Sequence, residues 1–432
     1  MQVREYALLT TRPTASVSLD VGIINPLTFD WLTGLAEEWS VTVKVVYDHG
    51  FPALKLGSLV GYLCSPLGEE IEILPKTGHG VQNPLASRRV LQNMLIKSGA
   101  IKHYEAQEAE LLFRDEPIHE WVYGRFLDEL QQLVGIGLRR EYKTYREHAN
   151  AIRGRIDMVK QVRQRPGQDH LFHIVHDVLS ADRLENRLLK TALVEAHKQC
   201  RTDKNWRTSN ALMHQLESLP VQQAAAQSFA RWSDTRLLQY YTEVKPWCGL
   251  IVRHMNPDFQ KGDRRGTSLL FSMERLFESF VYQTLKQSLD GQWKVQKEPR
   301  SKYLIENHND SRLFALKPDL LLYKDNERQV LDTKWKLLDQ EASSSQEKYG
   351  LSQSDFYQLF AYGQRYQQGS GHMMLIYPQY DGFYESLPPF RFDNELVLWV
   401  VPFCIVKEAL IGGDWGVHFP ALVPLSYKRG VE

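Results

Sequence analysis

Residues 316–336 read LKPDLLLYKDNERQVLDTKWK, and three of them carry side chains suited to hydrolysis: Asp319, Asp332 and Lys334. Two apolar runs, Leu320 to Leu322 and Val330 to Leu331, mark adjacent strands, with KDNER as a turn centred near Asn326. Residues equidistant from a turn face each other, so Asp319 lies opposite Asp332 or Thr333, depending on register. Val330, Asp332 and Lys334 alternate onto one strand face. Charges in strands are costly to bury unless paired or bound to metal. Two carboxylates repel each other, and a divalent cation between them removes that cost. Oxygen donors favour Mg²⁺ or Mn²⁺ over zinc. Such an ion orients a water, lowers its pKa and neutralises charge developing on a phosphate. A neighbouring lysine can hold the water or stabilise a pentavalent phosphate. Taken alone, Asp332 and Lys334 would also suit an exposed strand face with an ordinary salt bridge.

The elements that must position these groups are legible on either side. SLLFSMERLFESFVYQTLKQSL (268–289) predicts a helix whose core stripe is Met273, Leu276, Phe277, Phe280, Val281 and Leu285. A polar linker with a strand at QWKVQKE follows, then strands LFALKPDLLLY and QVLDTKWKLL. SDFYQLFAYGQRYQQG (354–369) predicts a helix with a glycine stop, and HMMLIYPQY (372–380) a buried strand. The order is α-β-β-β-α-β. Gln358 and Tyr362, one turn apart, share a helix face.

Pro318-Asp319, twelve intervening residues and Asp332-Thr333-Lys334 resemble the PD-(D/E)xK nuclease motif, whose core has this element order. The resemblance implies a further acid from the first helix, for which Glu278 is the best match and Glu274 lies one turn earlier. It implies a supporting Gln358 and Tyr362, and metal binding by Asp319 and Asp332 with the Thr333 carbonyl. MERLFESFVYQTL, KPDLLLY, VLDTKWK, DFYQLFAY and LIYP follow one another as in McrC, the nuclease subunit of the modified-cytosine restriction system. IRGRID (152–157), DRLENRLLKTAL (182–193) and the looser IEILPKTG with VLQNML extend that likeness over most of the chain. The McrC family works with McrB, a hexameric AAA+ GTPase that translocates DNA. No GxxxxGK[ST] occurs here, so the chain cannot by itself be a P-loop motor. The expected function is a Mg²⁺-dependent endonuclease subunit acting on double-stranded DNA containing modified cytosine, with an McrB-like AAA+ GTPase hexamer as partner. The alternatives are a stand-alone RecB-type exonuclease and a non-catalytic bridging activator of the GTPase.

The 432 residues predict three regions: a β-rich module over 1–115, a helical partner-binding region over 116–260, and the nuclease domain over 261–432. Lys+Arg and Asp+Glu both total 52, so overall charge predicts no partner and any nucleic-acid surface must be local. Residues 139–165 are such a place, with nine Lys/Arg against three acids. Arg153 and Arg155 flank Gly154, a turn that would present two guanidiniums to the partner. In McrC-like proteins this region enters the hexamer's pore. Lys336, after Trp335, is a candidate DNA contact. His170, His173 and His176, spaced by three, are read as polar positions on a packed helical segment. Four scattered cysteines without a CxxC argue against a thiolate zinc site and for a reducing compartment. The first residues lack a signal peptide's apolar core, and the longest apolar run, LVLWVVPFCIV (396–406), is too short for a bilayer and reads as a buried strand. A cytoplasmic protein without a membrane span is expected.

Overall fold

A computed structural model describes residues 1–12, 18–38, 43–77, 83–98, 115–165, 167–168, 170–254, 266–289, 292–392 and 395–422. Its contacts separate two compact units. One contains Met1–Ile118 with Asn256–Glu432, and the other His119–Met255. No described helix is long and apolar enough to cross a membrane.

The first unit begins with two four-stranded sheets. One has the order Val21–Ile23, Leu8–Thr10, Phe51–Leu56, Val43–Asp48; the other Gln2–Arg4, Glu70–Leu74, Leu59–Cys64, Thr267–Ser272. Inward-facing Val3, Leu9, Leu54 and Ile71 from both sheets build one core with Trp31 and Leu270. The last strand of the second sheet therefore comes from beyond the middle of the chain. It pairs antiparallel with Leu59–Cys64, bringing Leu270 opposite Gly61. A Cβ at Gly61 would stand 2.0 Å from the Leu269 carbonyl oxygen, so only glycine permits this approach. The helix Pro84–Lys97 starts with Asn83, whose side chain accepts from the N–H groups of Leu85 and Ala86, and with proline in its first turn.

Thr267–Ser272 runs directly into the helix Met273–Ser288, capped by the Ser272 hydroxyl. All six residues of the expected stripe are buried. Phe277 and Phe280 are fully enclosed, worth roughly 1.5–3 kcal/mol each. The large sheet then runs Lys294–Lys297, Leu320–Lys324, Glu327–Thr333, Gly371–Pro378, Leu396–Cys404, Phe390–Arg391, with Ala409–Leu410 also on Leu396–Cys404. Glu327–Thr333, Gly371–Pro378 and Leu396–Cys404 are mutually parallel. The helix Gln353–Tyr366 packs Leu359, Tyr362 and Tyr366 on this sheet.

Two departures from the sequence reading occur here. LFALKPDLLLY is two strands in different sheets, because Pro318 has no N–H to continue a ladder. Its first half, Ser311–Leu316, pairs with Lys302–His308 as a separate hairpin where a polar linker was expected.

The second unit contains the helices Leu184–Gln199, Asp203–Gln215 and Val244–His254 and most of Ile118–Ile136. Its expected helical character gives way to strands between 141 and 180, apart from the short helix Met158–Val162. Glu141–Ala149, Phe172–Ser180 and Arg155–Ile156 form a three-stranded antiparallel sheet. Tyr142, Thr144 and Tyr145 are strand formers, and both faces of Glu141–Ala149 are largely exposed, so no apolar period marked it. Asn186 fixes where this sheet begins: its amide donates to the Arg139 carbonyl at 3.0 Å, and its oxygen accepts from Tyr241 at 2.8 Å.

Candidate active site

The two-residue turn Asp325–Asn326 closes the hairpin, with Lys324 opposite Glu327 and Leu320 opposite Leu331. One residue further, this register brings Asp319 to the level of Asp332 and Thr333. The Asp319 Oδ2 accepts from the Thr333 N–H and from its Oγ1, each at 2.7 Å. Asp332 is 1% exposed, and its Oδ2 takes the Lys334 ammonium. The Lys334 N–H donates to the Ile376 carbonyl at 2.9 Å, continuing the parallel ladder and fixing where the side chain leaves the strand. The three expected groups thus converge where the strand Glu327–Thr333 ends.

Their electrostatics follow from burial. Desolvation first, and then the Asp319 charge, push the Asp332 carboxyl up to about 7 against the opposing pull of Lys334. Burial lowers the Lys334 pKa, but Asp332 and Asp319 outweigh it and hold the ammonium above its ordinary value. Glu278 is half-buried with its Oε1 3.3 Å from the Lys297 ammonium. Burial, then Asp319, raise its carboxyl above the usual range. Gln358 donates to the Tyr362 hydroxyl at 2.5 Å, and Tyr362 donates to the Lys317 carbonyl at 2.9 Å, two residues before Asp319. Lys336 is exposed, with its ammonium on the Gly350 carbonyl. Trp335 is core rather than surface: it packs on Phe277, and its Nε1–H donates to the Glu5 carboxylate at 2.7 Å.

The donor set suits a hard cation. The Asp332 Oδ1 is buried with no hydrogen-bond partner, a costly arrangement unless something else satisfies it. Each aspartate gives one oxygen to protein donors and keeps the other. Among the described residues no three His, Cys, Asp or Glu side chains stand close enough to share an ion. Mg²⁺ needs only one or two carboxylates, completing its shell with water.

Asp319, Thr333, Lys334 and Lys336 line a cleft of about 720 Å³. Other walls were missed in the sequence: Glu5, Tyr6 and Lys76 from the N-terminal sheets, Arg275, and Asp355 from the first turn of Gln353–Tyr366. Glu5 is the notable case. It is 1% exposed, accepts from the Lys76 N–H at 2.8 Å and from Trp335, and burial raises its carboxyl to about 7. The one local signal was a glutamate among the apolar residues of the first strands.

In the second unit, Arg153 and Arg155 are both exposed on either side of Gly154. Gly154 has φ +72°, and a Cβ there would meet the Val175 carbonyl oxygen at 2.4 Å, so this turn is built for glycine. His173 and His176 lie on a strand rather than a helix. His173 stands edge-on to His148, ring centroids 3.8 Å apart, and His176 stacks on Tyr145.

Comparison with known proteins bears on this geometry. The chain is 26% identical over 173 residues to the type IV methyl-directed restriction enzyme EcoKMcrBC of Escherichia coli (strain K12). The match covers 37% of this chain and about half, 47%, of that protein. In fold it is similar to a chain of the refined half-complex from a tetradecameric assembly of Thermococcus gammatolerans McrB AAA+ hexamers with bound McrC. The TM-score is 0.64 at 18% identity, over 95% of this chain and 96% of that one. The family model described as McrBC 5-methylcytosine restriction system component matches residues 54–378, a stretch that takes in Asp319, Asp332 and Lys334. The chain belongs to the family of McrBC 5-methylcytosine restriction system components.

Proposed function

We propose that the chain is the nuclease subunit of a modified-cytosine restriction system, hydrolysing DNA phosphodiesters in the cytoplasm with a divalent metal. The observation that carries this is the convergence of Asp319, Asp332 and Lys334 where the strand Glu327–Thr333 ends, with Asp319 and Lys334 lining the cleft and the buried Asp332 Oδ1 unpartnered. The succession of the helix Met273–Ser288, the strands around the hairpin, the helix Gln353–Tyr366 and the strand Gly371–Pro378 supports a PD-(D/E)xK reading. Asp319 and Asp332, with the Thr333 carbonyl, would hold Mg²⁺ or Mn²⁺. When bound, the ion would supply a water of lowered pKa and a positive charge against the phosphate.

The chain's own groups have distinct tasks. Thr333 fixes the Asp319 carboxylate, and Tyr362 pins the backbone that delivers it. Lys334, held charged by its two aspartates, is suited to donate to the attacking water or to a phosphate oxygen rather than to take a proton. Glu278, kept by Lys297, adds negative potential beside Asp319. Lys336 would contact the DNA backbone.

The partner belongs to the same proposal. The McrB hexamers with bound McrC in the structural relative support an AAA+ GTPase as partner, and the exposed Arg153 and Arg155 are its candidate contacts. The test is Asp332→Asn, assayed with an McrB-like GTPase and DNA containing 5-methylcytosine. Cleavage should vanish while stimulation of GTP hydrolysis stays. Cleavage at the wild-type rate would sink the proposal.

A further inference from the structure

The catalytic cleft has a neighbour. A second cavity of about 490 Å³ shares Lys76, Trp335 and Leu337 with it as walls. Besides Thr77 and Val90, its other walls come from the ends of two parallel strands and the loops after them, Pro378 to Tyr384 from Gly371–Pro378 and Cys404 to Val406 from Leu396–Cys404. Both cavities therefore open at the carboxyl ends of parallel strands, the edge at which open α/β sheets bind ligands. The volume lies within the range of small-molecule pockets, about 300–1,000 Å³.

The walls are held in place. Gln340 accepts from the Tyr384 N–H at 3.1 Å and from the Glu385 N–H at 3.4 Å, and its own N–H donates to the Gly382 carbonyl at 2.9 Å. Tyr380 and Phe383 exchange two backbone hydrogen bonds across the same turn. Opposite, Asn93 donates to the Ile405 carbonyl, and Lys97 pairs with Glu408. On this fixed turn the Tyr384 ring is 46% exposed at the cavity's edge. Ile405 and Leu337 supply apolar surface, Gln379 and Asp381 supply polar groups, and the Lys76 side chain stands at the junction with the cleft. A flat ring with polar edges, joined to an anion, matches these walls; that is the chemistry of a nucleobase on its phosphodiester.

We propose that this cavity takes one unstacked nucleobase of the DNA strand whose phosphate lies in the cleft, stacked on Tyr384, with Lys76 on the adjoining phosphate. The proposal rests on the nuclease reading for the identity of the strand. Unstacking is least costly in single-stranded DNA, and stacking on an aromatic side chain tolerates any base.

The test measures binding of a short single-stranded oligonucleotide carrying 2-aminopurine to the full chain in EDTA, read by fluorescence quenching. Tyr384→Ala should weaken binding roughly 5- to 100-fold. Tyr384→Phe should keep it, as should Tyr47→Ala, an exposed tyrosine on the other sheet. Thermal melts of each variant show whether the fold is kept, and Asp381→Ala gives a second reading of the same wall, with weakened quenching expected. Wild-type quenching by Tyr384→Ala would overturn the proposal. So would wild-type binding combined with lost stimulation of the GTPase, which would assign the cavity to a partner polypeptide. The two readings fail separately. Asp332→Asn protein that still cuts DNA refutes the nuclease reading, whereas a Tyr384→Ala variant that binds normally refutes only the cavity.

Discussion

The Asp319 carboxylate and Thr333 are joined twice, through the backbone N–H and the side-chain hydroxyl, both at 2.7 Å. One residue thus clamps the first aspartate with two donors, and in the proposed metal site its carbonyl would serve as well. Thr333→Val keeps the shape and the backbone donor but deletes the hydroxyl. The concentration of Mn²⁺ needed for half-maximal cleavage should rise about 10- to 100-fold. Direct Mn²⁺ titration by calorimetry checks this without reliance on turnover.

Lys334 offers a second test. Its ammonium compensates a buried carboxylate, so its loss affects chemistry and fold differently. Lys334→Met should reduce cleavage by about 10²–10⁴-fold, taking the range for a positioned proton-transferring or donating group. It should also lift the Asp332 carboxyl further, since the one cation opposing burial is gone. Single-turnover cleavage measures the first effect, and NMR titration of the carboxyl the second.

Glu5 gives a stability test with a definite sign. Burial raises its folded carboxyl from 4.5 to about 7. A raised pKa contributes stability fully present below the unfolded value and lost as pH rises through the folded one. Wild-type protein should therefore lose stability between pH 5 and pH 8 through this group, by up to about 3 kcal/mol. Glu5→Gln removes that dependence while retaining an acceptor for Trp335 and Lys76. Melting curves at the two pH values should show the variant gaining on wild type as pH rises.

The buried pair of Arg88 and Glu72, with Nη2 to Oε2 at 2.6 Å and Nε to Oε1 at 2.9 Å, predicts a large effect of opposite character. Arg88→Met leaves Glu72 with an uncompensated charge at 5% exposure. Urea denaturation should show a loss of about 3–5 kcal/mol.

Arg153 and Arg155 test the partner surface. The double replacement by alanine should lower stimulation of the GTPase and weaken assembly in a salt-dependent way, with the difference from wild type largest at low salt and shrinking as salt screens the contact. Mn²⁺ binding should be unchanged. Wild-type stimulation would return both residues to a solvated surface.

The sequence made some of this geometry legible and concealed the rest for physical reasons. The hairpin register was readable because Leu320–Leu322 and Val330–Leu331 are apolar runs around a polar turn, and a strand's period of two leaves little freedom. The stripe of Met273–Ser288 was readable for the same kind of reason. Glu141–Ala149 was not, since a strand exposed on both faces carries no apolar alternation. The hairpin at Lys302–Leu316 was hidden because its residues are mostly exposed and its second strand merges in sequence with Leu320–Leu322. Glu5 meets Trp335 across 330 positions, and Lys76 and Tyr384 come to the same cavity from distant parts of the chain, so local pattern does not encode either placement.

The pairing of Leu59–Cys64 with Thr267–Ser272 has a consequence for how the protein is made. The sheet edge at Leu59–Cys64 leaves the ribosome roughly two hundred residues before its partner strand, a delay on the order of 10–40 s at ordinary rates of synthesis. Throughout that interval a strand rich in apolar side chains has open N–H and C=O groups, the condition under which nascent chains join edge to edge. His119–Met255, a separate compact unit, is synthesised during the wait. The first unit can close only afterwards, so the strand leading into the helix of Glu278 is also the one that ends the exposure.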